Sequence, residues 1–218
     1  MIVETTDYIE AVHHLPQNGT LLLHNVSWEE YGHVLKQFEQ KPAYCVYYNN
    51  GVLKIMSPRL DHEFPKDVAF TAVRIYADEF DVDVDGYGST TWRQKRKAKG
   101  AEADTSFYVK NAAKVRGVKD FDLNLQIPPD IVVEVDISNE SWDKFDIYAG
   151  LGVPELWRCN GTTFQIYTLF EGKYEAVGSS ESLPLITGNL LTEYLQIGRE
   201  KGQTLMAKEL RNKLRELK

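Results

Sequence analysis

The chain has 218 residues, of which 43% are hydrophobic and 26% charged, and it carries a formal net charge of −7. This length and composition are typical of one large globular domain that buries its own core, and no apolar run is long enough to cross a membrane. The negative charge argues against a strong non-specific nucleic-acid binder, although it leaves room for a local basic patch.

Neither the N-terminus nor the cysteines indicate export. Residues 1–7 lack the basic and apolar regions of a signal peptide. Cys45 and Cys159 are the only cysteines. Both lie in strand-like segments, where reduced and buried thiols are expected. The chain is therefore predicted to be cytoplasmic and not associated with a membrane.

Hydrophobic periodicity and turn residues predict the elements in chain order. A helix begins after Ser27, where Glu30 completes a capping box, and a hairpin over 43–56 turns at an Asn-Asn-Gly sequence. A second helix is predicted over 61–79, and the basic run 93–99 is expected to be a mobile loop or strand edge. Further strands are predicted over 81–87, 100–109 and 130–137, and a helix over 143–151. A hairpin over 154–169 and an edge strand over 173–177 follow. The chain is predicted to be helical from 188 onward, with a weak point near glycines 198 and 202.

This order predicts a mixed α/β (α+β) fold with a central mixed β-sheet flanked by helices. We expect a single domain over 1–218, made of an N-terminal helical and strand segment (1–42), a core (43–178) and a C-terminal helical extension (188–218). No glycine-rich loop follows a strand with phosphate-binding spacing, which argues against a nucleotide-binding fold.

The segment over 130–137 combines β-branched residues with two carboxylates. Such a strand is buried on both faces in the middle of a sheet. Glu134 and Asp136 are two residues apart, so both side chains project from the same face. Because buried, unpaired carboxylates are costly, a lysine, an arginine or a metal ion must meet them.

Other charged residues could converge on this pair. Asp104 lies on the preceding predicted strand, and Lys144 lies at the start of the following helix. His62 and Glu63 begin the second helix. Carboxylates from adjacent strands can hold Mg²⁺, and a nearby lysine can orient or deprotonate a water. Such a set is sufficient for metal-assisted phosphodiester hydrolysis.

At these residues the sequence resembles the Uma-two-type restriction endonuclease family, a bacterial family in the PD-(D/E)xK nuclease superfamily. The matching segments, in the family's order, are 51–58 with His62-Glu63, 100–109, 129–138, Asp143-Lys144 with Tyr148, and 152–157. The resemblance implies a restriction-endonuclease-like core and an Mg²⁺-dependent endonuclease on DNA, with Mn²⁺ as an alternative metal and RNA as an alternative substrate.

The resemblance also implies roles for individual residues. Asp104 would be the first metal carboxylate and Glu134 the second, with Asp136 or Glu63 assisting. The chain departs from the superfamily pattern at Asp136, which occupies the position where a lysine is usual, and Lys144 would have to reach the site from the next helix. Residue 103 is alanine where proline is common, which matters little because proline only fixes the backbone there.

The sequence also suggests binding partners and a competing, non-catalytic interpretation. The basic residues of the run 93–99 either contact DNA phosphates or form a solvated loop; those predicted to contact DNA are Arg93, Lys95, Arg96 and Lys97. The C-terminal helix could form a homodimer. Alternatively, Glu134 and Asp136 belong to a structural ion-pair network, and the protein is a catalytically inactive nuclease fold that serves as a nucleic-acid or protein interaction module.

Overall fold

The structure, a computed structural model, describes residues 8–15, 19–38, 44–56, 60–118, 121–137 and 144–218. In chain order its elements are α1 (Tyr8–His13), β1 (Thr20–Leu23), α2 (Trp28–Phe38), β2 (Cys45–Asn49), β3 (Val52–Met56), α3 (Leu60–Phe80), β4 (Asp85–Gly86), β5 (Thr91–Gln94), a 3₁₀ turn (Lys95–Lys97), β6 (Lys99–Glu102), β7 (Thr105–Tyr108), α4 (Ala112–Val115), β8 (Ile131–Val135), α5 (Lys144–Leu151), β9 (Glu155–Cys159), β10 (Phe164–Phe170), β11 (Lys173–Val177), α6 (Gly188–Lys201) and α7 (Gln203–Glu216).

The strands form two sheets. The first sheet has the order β1-β3-β2-β6-β5 and is antiparallel throughout. The second sheet has the order β11-β10-β9-β8-β7-β4 and is mixed, because β8 and β9 run parallel while the other neighbours are antiparallel. The predicted class, a mixed sheet flanked by helices, is confirmed, and the sequence pattern had not predicted the first sheet as a separate layer.

The helices and sheets alternate as layers with three apolar clusters between them. Helices α1 and α2 pack on the outer face of the first sheet. Helix α5 packs between the two sheets, where the second cluster lies. Helices α3, α6 and α7 cover the far face of the second sheet and form the largest cluster. The central strands of the second sheet, β7 and β8, are therefore buried on both faces.

Strand β8 has the central position that its composition predicts. All five of its residues are buried, and it lies between β7 and β9. Val133 and Val135 face α3, whereas Val132 faces α5. Because side chains alternate along a strand, Glu134 projects with Val132 toward α5 and the first sheet.

The single strand predicted over 100–109 is wrong. The chain forms β6 in the first sheet, leaves that sheet at Ala103 and Asp104, and then enters the second sheet as β7. The alternation of side chains continues across the break, so a pattern with a period of two residues could not reveal it. This crossing brings Asp104 to the junction of the two sheets.

The prediction of a strand over 81–87 also needs correction. In this range only β4 forms a strand; Arg116 binds Asp83, which precedes β4, at 2.8 Å and Asp85 of β4 at 3.0 Å. For the basic run 93–99, predicted as a mobile loop or a strand edge, the second alternative is confirmed: the run includes the end of the edge strand β5, the 3₁₀ turn and the start of β6.

The C-terminal segment has the predicted interruption between two helices. Gly202 has a φ of +88°, a conformation that favours glycine, and it separates α6 from α7. Leu210 and Leu214 are buried in the largest cluster, and Arg211 binds Glu79 of α3 at 2.6 Å. Leu210 and Leu214 of the C-terminal apolar stripe are thus covered within the chain, whereas Leu205 and Leu217 are exposed, and the homodimer stays a prediction. In the described residues, no helix has both the length and the hydropathy that crossing a bilayer requires.

Candidate active site

Asp104 and Glu134 lie opposite each other on neighbouring strands. In the pairing of β7 with β8, Thr105 is opposite Val133. Continuing this antiparallel register by one residue places Asp104 opposite Glu134, and opposed side chains share a face. The Asp104 carboxylate accepts a hydrogen bond of 2.6 Å from the Val135 backbone N–H. The two acids therefore lie on one side of the second sheet, as the sequence predicts.

Helix α5 supplies two donors to the buried Glu134. The side chain of Glu134 is 1% exposed. The Lys144 ammonium donates to its Oε2, and the Tyr148 hydroxyl donates to its Oε1. Lys144 and Tyr148 are four residues apart, so they share one face of the helix. Both oxygens of the buried carboxylate thus have a hydrogen-bond partner.

Lys144 reaches a second acid and an aromatic ring. Its Nζ lies 3.1 Å from Asp136 Oδ1 and 4.8 Å from the centroid of the Tyr47 ring on β2 of the first sheet. The ammonium thus lies between the two sheets. The expectation that the helix after the central strand could present this lysine to the acids is met.

Asp136 has a further cationic partner on the parallel neighbour of β8. The Nε of Arg158 on β9 lies 3.2 Å from Asp136 Oδ2. Asp136 therefore lies between a lysine and an arginine. We call Asp104, Glu134 and Asp136 the acidic cluster; its three carboxylates face two cationic side chains.

The excess of acids and the burial shift the pKa values of the site. Burial raises the pKa of Glu134 to about 8, and the charges of Asp104 and Asp136 add to this shift while Lys144 opposes it. Burial by itself would lower the pKa of Lys144, but the surrounding carboxylates more than compensate, so its pKa is raised. Lys144 is consequently a permanent ammonium at neutral pH.

The pKa values of Asp136 and Tyr148, the two neighbours of this pair, shift in opposite directions. Burial would raise the pKa of Asp136, but Lys144 and Arg158 together lower it below its usual value. Burial and the neighbouring Glu134 raise the pKa of Tyr148 well above that of a free tyrosine. Asp136 is thus ionised at neutral pH, and Tyr148 is a hydrogen-bond donor.

Two other residues predicted to belong to the site lie at the start of α3. Glu63 is half exposed and pairs with Lys66 one turn along α3. His62 is buried, and its Nε2 has no hydrogen-bond partner in the described part of the chain. The assisting role of Glu63 beside Asp104 and Glu134 stays a prediction.

The four basic residues predicted to contact DNA lie on β5 and in the 3₁₀ turn. Lys95, Arg96 and Lys97 are exposed in the 3₁₀ turn, at the end of β6 remote from Asp104. Lys95 pairs with Glu29 of α2 at 2.8 Å. Arg93 is half-buried near Tyr31, which belongs to the cluster beneath α2. Contact of these four residues with DNA stays a prediction.

Asp104 and Glu134 are the carboxylates that could hold a divalent cation. Among the described residues, no group of three or more His, Cys, Asp and Glu side chains could hold a metal ion by itself. Mg²⁺ does not need such a group, because it is usually bound by one or two carboxylates together with water and substrate phosphate. Asp104 Oδ1 has no hydrogen-bond partner in the described segments, and each Glu134 oxygen keeps a second lone pair. The opposed Asp104 and Glu134, with their excess negative charge, fit the cation.

Sequence reasoning missed the contributions of Tyr148 and Arg158. The sequence indicates Tyr148 only as part of a family motif, although its spacing of four residues from Lys144 predicts that both side chains share one helix face. Arg158 carries no such signal, because its pairing with Asp136 depends on the parallel register that sets Glu134 beside Arg158. That register becomes known only when the two strands are placed in one sheet.

Replacing Tyr148 by phenylalanine is expected to lower the free energy of unfolding by about 1.5–3 kcal/mol, because a buried carboxylate oxygen loses its donor. Urea denaturation followed by circular dichroism measures this loss. Tyr194→Phe is the matched control, since the hydroxyl of Tyr194 makes only a 3.4 Å bond to a backbone carbonyl. Equal losses in both variants would contradict the assigned role of Tyr148.

Comparison with known proteins identifies the fold and then the family. The fold is that of a crystal structure from Anabaena variabilis ATCC 29413, described as a putative nuclease belonging to DUF820. The two match with a TM-score of 0.51 and 13% identity, over 74% of this chain and 98% of that chain. The protein therefore has a nuclease-type α/β fold. It belongs to the Uma2 family, described as "Putative restriction endonuclease", whose model matches residues 28–198. No curated protein matches the chain significantly.

Proposed function

We propose that this protein is an Mg²⁺-dependent endonuclease that hydrolyses DNA phosphodiester bonds, with Mn²⁺ as an alternative metal. The observation that carries this proposal is the contact of Lys144 with Glu134 and Asp136. In the proposed site, Lys144 from α5 would take the place of the lysine that is absent two residues after Glu134. Membership in the Uma2 family supports the same conclusion.

Asp104 and Glu134 would hold the metal, with Asp136 as an assisting carboxylate. When bound, a divalent cation supplies Lewis-acid stabilisation of the phosphate and a more acidic water. The residues around it have separate tasks. Val135 orients Asp104 through its backbone N–H, and Tyr148 orients Glu134. These hydrogen bonds hold both carboxylates in one orientation before any ligand arrives.

Lys144 would act as a charged donor rather than as a base. Because its pKa is raised, the ammonium keeps its proton at neutral pH. A fixed positive charge beside Glu134 can position an attacking water and stabilise the negative charge that develops on a phosphate. Lys144 is thus suited to orienting the attacking water and not to removing a proton from it.

We also propose a nucleic-acid substrate and a homodimer. A nuclease family implies a nucleic-acid substrate, and we propose DNA, with RNA as the alternative. Lys95, Arg96 and Lys97 are exposed and could contact phosphates, but only on a part of the strand distant from the acidic cluster. A homodimer would allow two sites to cut both strands.

Cleavage of labelled single-stranded DNA, duplex DNA and RNA by the purified protein with Mg²⁺ or Mn²⁺ tests the proposal. The wild type should cleave DNA, and chelation with EDTA should abolish cleavage. Asp104→Asn should reduce cleavage at least about 100-fold, because loss of a residue that only orients a metal ligand already costs roughly 10- to 100-fold in metal affinity or activity, and Asp104 would be a direct ligand. Mn²⁺ binding, followed by electron paramagnetic resonance, should weaken in the same variant.

Glu175→Gln is the matched control for this experiment. It also replaces a carboxylate by an amide, but on an exposed side chain of the edge strand β11. Its cleavage rate should stay close to that of the wild type. An absence of cleavage on every substrate, together with Mn²⁺ binding that does not depend on Asp104, would refute the proposed activity.

A second candidate is the catalytically inactive interaction module. It is favoured by one observation, the full set of donors around Glu134 and Asp136, which resembles a structural ion-pair network. In that case Asp104→Asn would alter neither metal binding nor cleavage, whereas substitutions of Lys144 would still destabilise the fold.

A further inference from the structure

A polar pocket adjoins the acidic cluster on the same face of the second sheet. It encloses about 330 Å³ at the ends of β8, β9 and β10. The residues that line it and bear on its chemistry are Asp136, Arg158, Asn160, Thr163, Gln165 and Tyr167. Asp136 belongs both to this pocket and to the acidic cluster, so the pocket is continuous with the candidate active site.

Arg158 is held so that part of its guanidinium remains available. Its Nε donates to Asp136 at 3.2 Å, and its guanidinium carbon lies 5.9 Å from the centroid of the Phe145 ring. Its side chain is 39% exposed, and its two terminal nitrogens make no hydrogen bond to the described residues. A planar pair of N–H donors fixed in this way matches two oxygens of a phosphate.

Several other polar atoms of the pocket make no hydrogen bond to the described residues. The amide nitrogen of Asn160, the hydroxyl of Thr163 and the hydroxyl of Tyr167 make no hydrogen bond within the described segments, although the Asn160 oxygen and the Thr163 backbone are bonded to each other. Gln165 uses its amide nitrogen but not its oxygen. The pocket thus offers both donors and acceptors, as the edges of a base and a sugar require.

Arg158 lies beside the acidic cluster. It is the register partner of Glu134 on the adjacent parallel strand, and neighbouring strands are about 4.8 Å apart. A phosphate bound by Arg158 would therefore lie next to a group bound at the acidic cluster. The carboxylate of Asp136 does not repel a phosphate here, because Lys144 and Arg158 already pair with it.

We propose that this pocket binds the nucleotide next to the scissile phosphodiester, with Arg158 on its phosphate and Asn160, Gln165 and Tyr167 on its sugar and base. The proposal deepens the proposed nuclease function and rests on it for the identity of the ligand. Arg158 would be a residue that positions and selects the substrate.

Binding of thymidine 3′,5′-bisphosphate to the full-length, metal-free protein tests the pocket without catalysis. By isothermal titration calorimetry, Arg158→Ala should weaken binding at least 10-fold. Gln165→Glu should weaken it at least 5-fold, because a carboxylate facing Arg158 across the β9–β10 pair competes for the guanidinium. Since Gln165 is exposed, this second variant keeps the test valid if Arg158→Ala fails to fold.

Lys173→Ala is the control, since it removes an exposed cation from the edge strand β11 outside the pocket. Its affinity should equal that of the wild type. Failure of the bisphosphate to bind the wild type, or equal binding by the wild type, Arg158→Ala and Gln165→Glu, would overturn the proposal.

Cleavage kinetics separate this proposal from the nuclease proposal. With an oligonucleotide substrate, Arg158→Ala and Gln165→Glu should raise KM and leave kcat within about threefold. If the wild type cleaves and both variants keep its KM, the pocket assignment is wrong and the nuclease function stands. If the wild type does not cleave but binds the bisphosphate through Arg158, the nuclease function is wrong and the nucleotide pocket stands.

Discussion

Replacing Lys144 by methionine is expected to lower the free energy of unfolding by about 3–5 kcal/mol at pH 8, because the buried Glu134 loses its cation and must either stay charged without a partner or take up a proton. Glu134 is 1% exposed and would keep only the Tyr148 hydroxyl as a donor. Methionine fills much of the same volume, so the loss reports charge and hydrogen bonding rather than a cavity. Chemical denaturation followed by circular dichroism measures it.

The same substitution should cost less at pH 5. Glu134 then takes up a proton, and a neutral acid is less costly to bury than a carboxylate. Lys110→Met is the matched control, because Lys110 is exposed, and its effect should stay within about 0.5 kcal/mol. A loss below about 1 kcal/mol for Lys144→Met at pH 8 would show that the lysine does not neutralise Glu134.

The second large effect is a fall in the stability of the metal-free wild type as the pH rises from 5 to 8. The pKa of Glu134 is raised to about 8 and that of Glu102 to about 7, in both cases chiefly by burial, from an ordinary value of 4.5. Each acid binds its proton more tightly in the folded state. Their contribution is therefore complete below pH 4.5 and is lost as the pH approaches the raised values.

The expected fall is on the order of 3 kcal/mol or more, since each unit of pKa difference corresponds to about 1.36 kcal/mol. The raised pKa of Lys144 and the lowered pKa of Asp136 act outside this window, above pH 10.5 and below pH 3.8 respectively. Glu134→Gln should remove most of the change between pH 7 and 8, because glutamine does not titrate. A stability that stays constant or rises between pH 5 and 8 would contradict the raised values.

Local sequence was sufficient for the elements near the site. The β-branched residues of β8 predicted a central strand, and the two-residue spacing of Glu134 and Asp136 predicted a shared face. The helix that begins at Lys144, the β9–β10 hairpin and the break near Gly202 were likewise predicted. These features depend on side-chain alternation, helical periodicity and glycine geometry, which act over a few residues.

Other features depended on contacts between distant segments. The site residue Glu63 was proposed from a family pattern, yet its carboxylate pairs with Lys66 on its own helix. The basic residues around the 3₁₀ turn are predicted to contact DNA, and the pairing of Lys95 among them with Glu29 of α2 was not visible in the sequence. Burial and side-chain direction at such positions follow from how the layers pack, which no short segment encodes.

The sequence by itself determined that two acids on a buried strand need a cation and that Lys144 begins the next helix. Only the tertiary structure decided that the chain changes sheets at Asp104, which sets that acid opposite Glu134, and that Arg158 meets Asp136. The physical reason is that strand register and sheet order arise from hydrogen bonds between segments far apart in sequence, whereas periodicity records only which face each residue presents.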